Sequence, residues 1–269
     1  MLDHVARDGL VLLGCGKMGS ALLAGWLAAQ IPPVSVWVIE PNPSDWLRGL
    51  GVHLNQGVPP SPAVAVLAVK PQMMGAALPA LQALGNGRTV MVSIAAGTTI
   101  ATLEAAFGTR TPIVRTMPNT PAMVGRGITG ICGNPHAGAG GLALARSLMS
   151  AVGQVVDLDG EHQIDAVTAV SGSGPAYVFH MIEALAAAGV ALGLPDQVAM
   201  QLARATVCGA GELAARSDET AAQLRLNVTS PGGTTAAALT VLMDARTGLP
   251  PLVARAVRAA ADRGRELGT

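Results

Sequence analysis

Aromatic side chains are scarce in this chain, with three Trp, one Tyr and two Phe among 269 residues. A core organised around large rings is thereby excluded, and the abundance of alanine and glycine points instead to helices packed closely, backbone to backbone. Cysteine is scarce too. Cys15, Cys132 and Cys208 are odd in number and lack metal-ligand spacing. This excludes a disulfide framework and fits a reducing compartment, so a cytoplasmic protein is expected. No sign of charge is in excess, since 17 Lys and Arg balance 17 Asp and Glu, and no basic face is clustered. Nucleic acid and membrane are therefore not expected as partners, and the ligand should be a small molecule. Asp3, Arg7 and Asp8 precede the first apolar run, so no signal peptide is expected. Lys17, Glu183 or glycines interrupt the longer apolar stretches before they reach membrane-spanning length.

The usual catalytic sets are missing as well. There are no paired carboxylates, no metal-ligand cluster and no Ser/His/Asp arrangement, and His4, His53, His136, His162 and His180 are scattered. No metal is expected. The chemistry must then come from a cofactor.

The hydrophobic share of 50% is ample for a sizeable core, and the length favours two domains. Gly9 to Leu13 is a short apolar run followed by Gly14, Cys15, Gly16, Lys17, Met18 and Gly19, then a helical pattern through Ala29. Strand, glycine turn and helix in that order make the Gly-x-Gly-x-x-Gly spacing a dinucleotide signal: a tight turn, a close approach for the pyrophosphate, and close packing of helix on strand. A second strand, Ser35 to Ile39, ends in Glu40, at the distance where an acidic residue meets a ribose. Two more buried strands are expected at Val64 to Ala68 and Thr89 to Ser93. Their ends, Ala68-Val69-Lys70-Pro71 and Ile94-Ala95-Ala96-Gly97, would line the cofactor groove. Pro112 to Thr116 is a further strand, running into the stiff Met117-Pro118-Asn119-Thr120-Pro121 loop. Strands at Gly127 to Cys132 and Gln154 to Leu158, with a helix between them, close the first domain near residue 158.

From Glu161 onward the pattern is helical. Ser171-Gly172-Ser173-Gly174-Pro175 breaks two helices, and the one from Pro175 to about Leu192 is apolar on most sides. It is expected to be buried all round, either at the centre of its domain or in a subunit interface. Further helices are expected at Asp196 to Ala215, then a shorter one to Asn227, then near Thr235 to Asp244 and Pro251 to Leu267. Between the helix that ends at Asn227 and the one that starts near Thr235 lies Val228-Thr229-Ser230-Pro231-Gly232-Gly233-Thr234-Thr235. Adjacent glycines, flanking hydroxyls and a helix start make an anion site; the competing reading is an ordinary N-cap and loop. A C=N bond that arrives protonated needs little help from a protein acid, so imine reduction by a nicotinamide fits so acid-poor a site. The hydroxyl and N–H groups of this stretch would hold a substrate carboxylate.

These motifs, in this order over nearly the whole chain, resemble those of the pyrroline-5-carboxylate reductases, the last enzymes of proline biosynthesis. The resemblance rests on Gly14 to Gly19, Ala68 to Pro71, Met117 to Pro121, Ser171 to Tyr177 and above all Val228 to Thr235. It implies an α/β Rossmann domain at residues 1–158 binding NADPH or NADH, and an all-α dimerisation and substrate domain at residues 159–269. It also implies an interlocked homodimer, often a ring of dimers, with each active site between the cofactor domain of one subunit and the helical domain of the other. Carried over residue by residue, the substrate-carboxylate contacts fall on Ser230, Gly232, Gly233, Thr234 and Thr235. The threonine that meets the ring nitrogen falls on Thr235, and the adenosine-ribose asparagine on Asn55. The groove contacts are Gly14, Cys15, Gly16, Lys17, Met18, Gly19, Glu40, Ala68, Val69, Lys70, Pro71, Ile94, Ala95, Ala96, Pro118 and Asn119.

Two positions depart from the family pattern. Many members prefer NADPH and carry a hydroxyl or basic residue where this chain has Glu40; a carboxylate there accepts from a ribose 2′-OH and repels a 2′-phosphate. Leu226 stands where an acidic residue is common. Two rival functions remain: a β-hydroxyacid dehydrogenase, and a non-catalytic NAD(P)-sensing dimer. The first would need a lysine on the helical domain, and none occurs from Glu161 to Thr269. The second has no need of a carboxylate cradle.

Overall fold

Short apolar runs rich in Val and Leu become strands here because both faces of the sheet are covered, so every position of the central ones can be buried. The computed structural model describes residues 3–268. Its sheet has eight strands: β1 Leu10–Leu13, β2 Val36–Ile39, β3 His53–Leu54, β4 Val64–Leu67, β5 Val90–Ser93, β6 Ile113–Met117, β7 Gly127–Gly133 and β8 Gly153–Asp157. They lie in the order β3-β2-β1-β4-β5-β6-β7-β8. The first six strands run parallel, β7 is antiparallel to β6, and β8 is parallel to β7. All positions of β1, β4 and β5 are buried. The order reverses between β1 and β4, which is where a doubly wound sheet opens a crevice beyond its carboxyl ends.

Side chains alternate across the sheet into two cores. Leu10 and Leu12 enter one, Val11 and Leu13 the other. Trp26 is fully buried in the first, its indole donating to Leu148 O at 3.0 Å. Helices α1 Asp3–Asp8, α2 Lys17–Ala28, α3 Asp45–Arg48, α4 Met74–Ala77, α5 Ile100–Phe107, α6 Gly138–Met149 and α7 Ile164–Val167 accompany the sheet. Then come α8 Gly174–Ala191, α9 Asp196–Arg216, α10 Ala221–Asn227, α11 Thr234–Leu242 and α12 Leu249–Leu267, with no strand among them. The expected strands and long helices are all present within a few residues. Not foreseen were α1, α3, α4, α5, the two-residue β3, the 3-10 turns between β4 and β5, and a π-helical turn at Thr168–Gly172.

Contacts divide the chain into two compact units, 1–172 with 260–269, and 173–259. The first unit therefore keeps the segment after β8 that a boundary at 158 would remove from it, because Glu161 bonds to Arg115 on β6 and to the N–H of Ile100. In the second unit α8 and α9 approach closely: a Cβ on Gly189 would lie 3.2 Å from that of Ala199. This is the small-residue helix packing expected from the composition. Of the two places expected to bury α8, the centre of its own domain does not hold. Ala186 is its only buried residue, and Phe179 is 60% exposed, because only a small-residue stripe of α8 meets α9. The segment Glu161–Ala191 is also long and apolar enough, by length and composition alone, to cross a membrane. The interruptions expected to prevent that do not, since one charged residue such as Glu183 leaves the stretch apolar.

Candidate functional site

The glycine turn after β1 is built by three glycines with three different tasks. Gly14 has φ +91°, and a side chain there would strike Ala68 O at 2.9 Å and Val69. Gly19 lies against Gly14 O, which a Cβ would approach to 2.5 Å, so α2 sits tightly on the turn. Gly16 faces open space and is the N-cap of α2, and no side chain caps it. An uncapped helix start beside an unobstructed backbone fits a diphosphate. Cys15, Lys17 and Met18 follow the same turn, with Lys17 exposed.

Glu40 reaches into this turn. One carboxylate oxygen accepts from the Cys15 N–H at 2.8 Å, the other from the Asn42 N–H at 2.9 Å. Asn55, at φ +55°, holds the Glu40 backbone from the other side: its Oδ1 accepts from Glu40 N and its Nδ2 donates to Glu40 O, both at 2.9 Å. The Asn55 amide is thus spent on placing Glu40. Burial and the Glu40 charge push the Cys15 thiol up to about 11, with a bond from Ser20 opposing.

Across the crevice, Ala68 donates its N–H to Leu13 O at 2.7 Å, Val69 is half-buried, and Lys70 is exposed at the start of the 3-10 turn Pro71–Met73. Beyond β5, Ile94, Ala95 and Ala96 form a turn in which Ala95 is buried. Beyond β6, Pro118 and Asn119 are buried. The Asn119 amide is fully engaged: Oδ1 accepts from the Ile128 N–H at 3.0 Å and Nδ2 donates to Ser171 Oγ at 3.2 Å. It joins the loop after β6 to the π-helical turn, whose Gly172 would meet Met117 Cε at 2.6 Å if it carried a Cβ. The sheet unit thus brings every groove residue named from the sequence to the carboxyl ends of β1, β2, β4, β5 and β6.

In the second unit, Ser230 and Gly232 are exposed, and Gly232 has φ +69°. Gly233 N–H bonds to Ser230 O at 3.0 Å and Gly233 is the N-cap of α11. No side chain caps this helix. Gly233 itself takes the N-cap position after a turn closed on Ser230, an arrangement that an anion site and an ordinary capped loop share. The first-turn N–H groups of α11 take no side-chain cap, and Ser230, Thr234 and Thr235 flank them along the chain.

Among the described residues no group of three or more His, Cys, Asp or Glu could hold a metal. Two features escaped the sequence reading. Ser171 belongs to the Ser171 to Pro175 break, but its bond to Asn119 is made from a π-helical turn, which has no composition signal. Arg115 was the other, a lone charge inside the apolar strand β6, and its partner Glu161 stands far along the chain.

Residues 161–267 match a family model described as pyrroline-5-carboxylate reductase dimerisation, and residues 10–97 one described as NADP oxidoreductase, coenzyme F420-dependent. A pyrroline-5-carboxylate reductase of Synechocystis is 43% identical over 266 residues, covering 96% of this chain and 98% of the relative. The structure of such an enzyme from Coxiella burnetii is 36% identical with a TM-score of 0.90, covering 97% of this chain and 99% of the other. The pyrroline carboxylate reductase of Plasmodium falciparum with NADP bound is 30% identical with a TM-score of 0.83, covering 98% of this chain and 99% of the other.

Proposed function

The chain belongs to the pyrroline-5-carboxylate reductase family, and we infer from that premise how its residues share the reduction of 1-pyrroline-5-carboxylate to L-proline with NAD(P)H. When bound, the reduced nicotinamide supplies a hydride to the carbon of the C=N bond, and the already protonated nitrogen becomes the ring amine. No strong protein acid is required. The first-turn N–H groups of α11 with Ser230 and Thr234 hold the substrate carboxylate, while Gly232 and Gly233 let it approach. The Thr235 hydroxyl meets the ring nitrogen and orients the C=N bond. The Gly14 to Gly19 turn holds the diphosphate, and Ala68 to Pro71, Ile94 to Ala96 and Pro118 line the groove, with Asn119 bracing its wall.

The observation that carries this reading is the uncapped start of α11, open to a carboxylate in a chain with no acid–base set. Purified protein given 1-pyrroline-5-carboxylate and either reduced cofactor is expected to form proline; no proline with either would end the reading. The protein assembles as a homo-oligomer through the helical module, which on the functional division covers residues 159–269 and leaves 1–158 to the cofactor. The cradle of one copy serves the cofactor domain of its partner, and dimers gather into a ring. The enzyme is soluble and works in the cytoplasm, its apolar α8 covered by a partner rather than by lipid.

Glu40 decides the cofactor. Its carboxylate is pinned on the Cys15 and Asn42 N–H groups, so a 2′-phosphate would meet a fixed like charge, whereas ribose hydroxyls could still donate to the remaining lone pairs. NADH is expected to serve at least as well as NADPH. The check is kcat/KM for both cofactors in the wild type and in Glu40→Ser. A tenfold or greater preference for NADPH that the substitution leaves unchanged would show that Glu40 does not face the ribose.

A further inference from the structure

Arg115 projects from β6 and is 5% exposed, and its Nη1 lies 2.6 Å from Glu161 Oε1. The same carboxylate oxygen accepts from the N–H of Ile100, the first residue of α5, at 2.7 Å. A single Glu161 thus ties the middle of β6, two residues before its end at Met117, to the helix that follows the turn after β5. That turn is also packed against the end of α12. Gly97 has φ +73°, and a Cβ there would lie 2.8 Å from the carbonyl oxygen of Leu267. Glu161 and Leu267 stand at the two ends of the segment that matches the dimerisation family. Both ends of that segment therefore close on the turn between Ile94 and Ile100.

An ion pair with one member buried and the other, Glu161, half-buried is poor evidence for stability, because an apolar pair of similar volume commonly serves as well or better. Here the pair joins β6 to the first turn of α5, next to the Ile94 to Ala96 turn and the loop after β6, so its consequence is geometric. We propose that Glu161 and Arg115 are positioning residues for hydride transfer. They hold the Ile94 to Ala96 turn and the Met117 to Asn119 loop at a fixed separation, so that whatever seats there is aligned with the substrate. This rests on the reading of the reaction given above. Misplacement of reacting groups by about 1 Å is enough to cost on the order of a hundredfold in rate.

The test uses the full-length enzyme and three forms: Glu161→Ala, which loses both bonds; Glu161→Gln, which keeps an acceptor for Ile100 but loses the charge; and Arg115→Met combined with Glu161→Gln, which leaves no unpaired buried charge should Glu161→Ala fail to fold. In Glu161→Ala, kcat per folded enzyme is expected to fall roughly tenfold to a hundredfold with both KM values little changed. The deuterium isotope effect on kcat with 4-deuterated cofactor should rise, Glu161→Gln should lie between, and the double variant should recover stability without recovering kcat. Independently of turnover, amide hydrogen exchange without cofactor should quicken at residues 94–100 and 117–120 and stay unchanged at residues 14–19. Uniformly faster exchange, or a loss that tracks only the folded fraction with an unchanged isotope effect, would overturn the proposal in favour of a merely structural pair. So would wild-type kcat in the double variant. Loosening confined to the two loops in a protein that makes no proline would instead overturn the reaction and leave the clamp standing.

Discussion

The two units differ in what they bury. The sheet unit encloses Trp26, Leu10, Leu12, Leu22, Met91 and Ile113 almost completely, on both sides of a sheet whose inner strands are covered. In the 173–259 unit the buried hydrophobic residues are Ala186, Ala199 and Ala203, while Phe179, Leu202, Leu213 and Leu252 are each more than half exposed. Hydrophobic burial stabilises in proportion to apolar area, and three alanines remove little of it from water. The sheet unit can account for its own fold; the helical unit buries too little apolar surface to do the same alone. That agrees with the family description of residues 161–267 as a dimerisation module.

The most severe way to break this contrast is Phe179→Asp on α8. An unpaired carboxylate buried in the interface costs several kcal/mol, and a two-fold interface would contain two. Sedimentation at micromolar concentration should show loss of the oligomer, with activity at least roughly a hundredfold lower. Val34→Asp is the control, since Val34 is 67% exposed against 60% for Phe179 but lies on the sheet unit. It should leave assembly intact. An unchanged oligomer in Phe179→Asp would mean that the exposed face of α8 is simply solvent-facing.

The next effect sharpens the other side. Trp26→Ala empties a fully buried site and removes the donor to Leu148 O, so the sheet unit should lose about 3–5 kcal/mol in denaturant unfolding. The protein that remains folded should keep its oligomeric state. Dissociation of folded protein would show that the two units do not draw their stability from separate sources.

Most of the sheet unit was legible because periodicity speaks directly to burial. Val64 to Ala68 and Thr89 to Ser93 are short apolar runs bounded by turn residues, too short for helices, and each holds a fully buried strand, while Gly14 to Gly19 stands between a strand and a helix. What escaped reading depends on distant partners. β3 exists because Trp37 and Val38 offer it an edge, and Trp37 stacks on His53 at 4.4 Å. The bond from Asn119 to Ser171 and that from Arg115 to Glu161 join residues 52 and 46 positions apart, beyond any local pattern. The apolar character of α8 was plain from its residues, but whether its own domain or a second copy covers it is a property of assembly, and one sequence carries both outcomes.

Thr235→Val asks whether the incomplete unit nonetheless carries chemistry. Valine keeps the β-branched shape at the second residue of α11, where the side chain makes no cap, so folding and assembly should be untouched. Loss of the hydroxyl should cost about 1–3 kcal/mol of transition-state binding, roughly a tenfold to hundredfold fall in kcat/KM. An unchanged kcat/KM would leave the cradle a passive binding surface.

The smallest effect tests whether the cofactor side of the site is complete within a single chain. The Cys15 thiol is pushed up to about 11, first by burial and then by the Glu40 carboxylate. Only the thiolate reacts with an alkylating agent, so about one molecule in a hundred should be reactive at pH 9, and reaction at Cys15 should quicken about tenfold per pH unit up to that value. Glu40→Gln keeps an acceptor for the Cys15 N–H while removing the charge. The thiol then ionises at lower pH, and its alkylation at pH 9, followed on the Cys15 peptide without cofactor, should quicken by up to roughly tenfold, the factor for one pH unit. Burial remains the larger cause, so the midpoint should stay above that of an ordinary thiol. If the Cys15 rate is the same in both proteins, the carboxylate does not lie on the glycine turn, and the charge that is to discriminate between NADH and NADPH must be sought elsewhere.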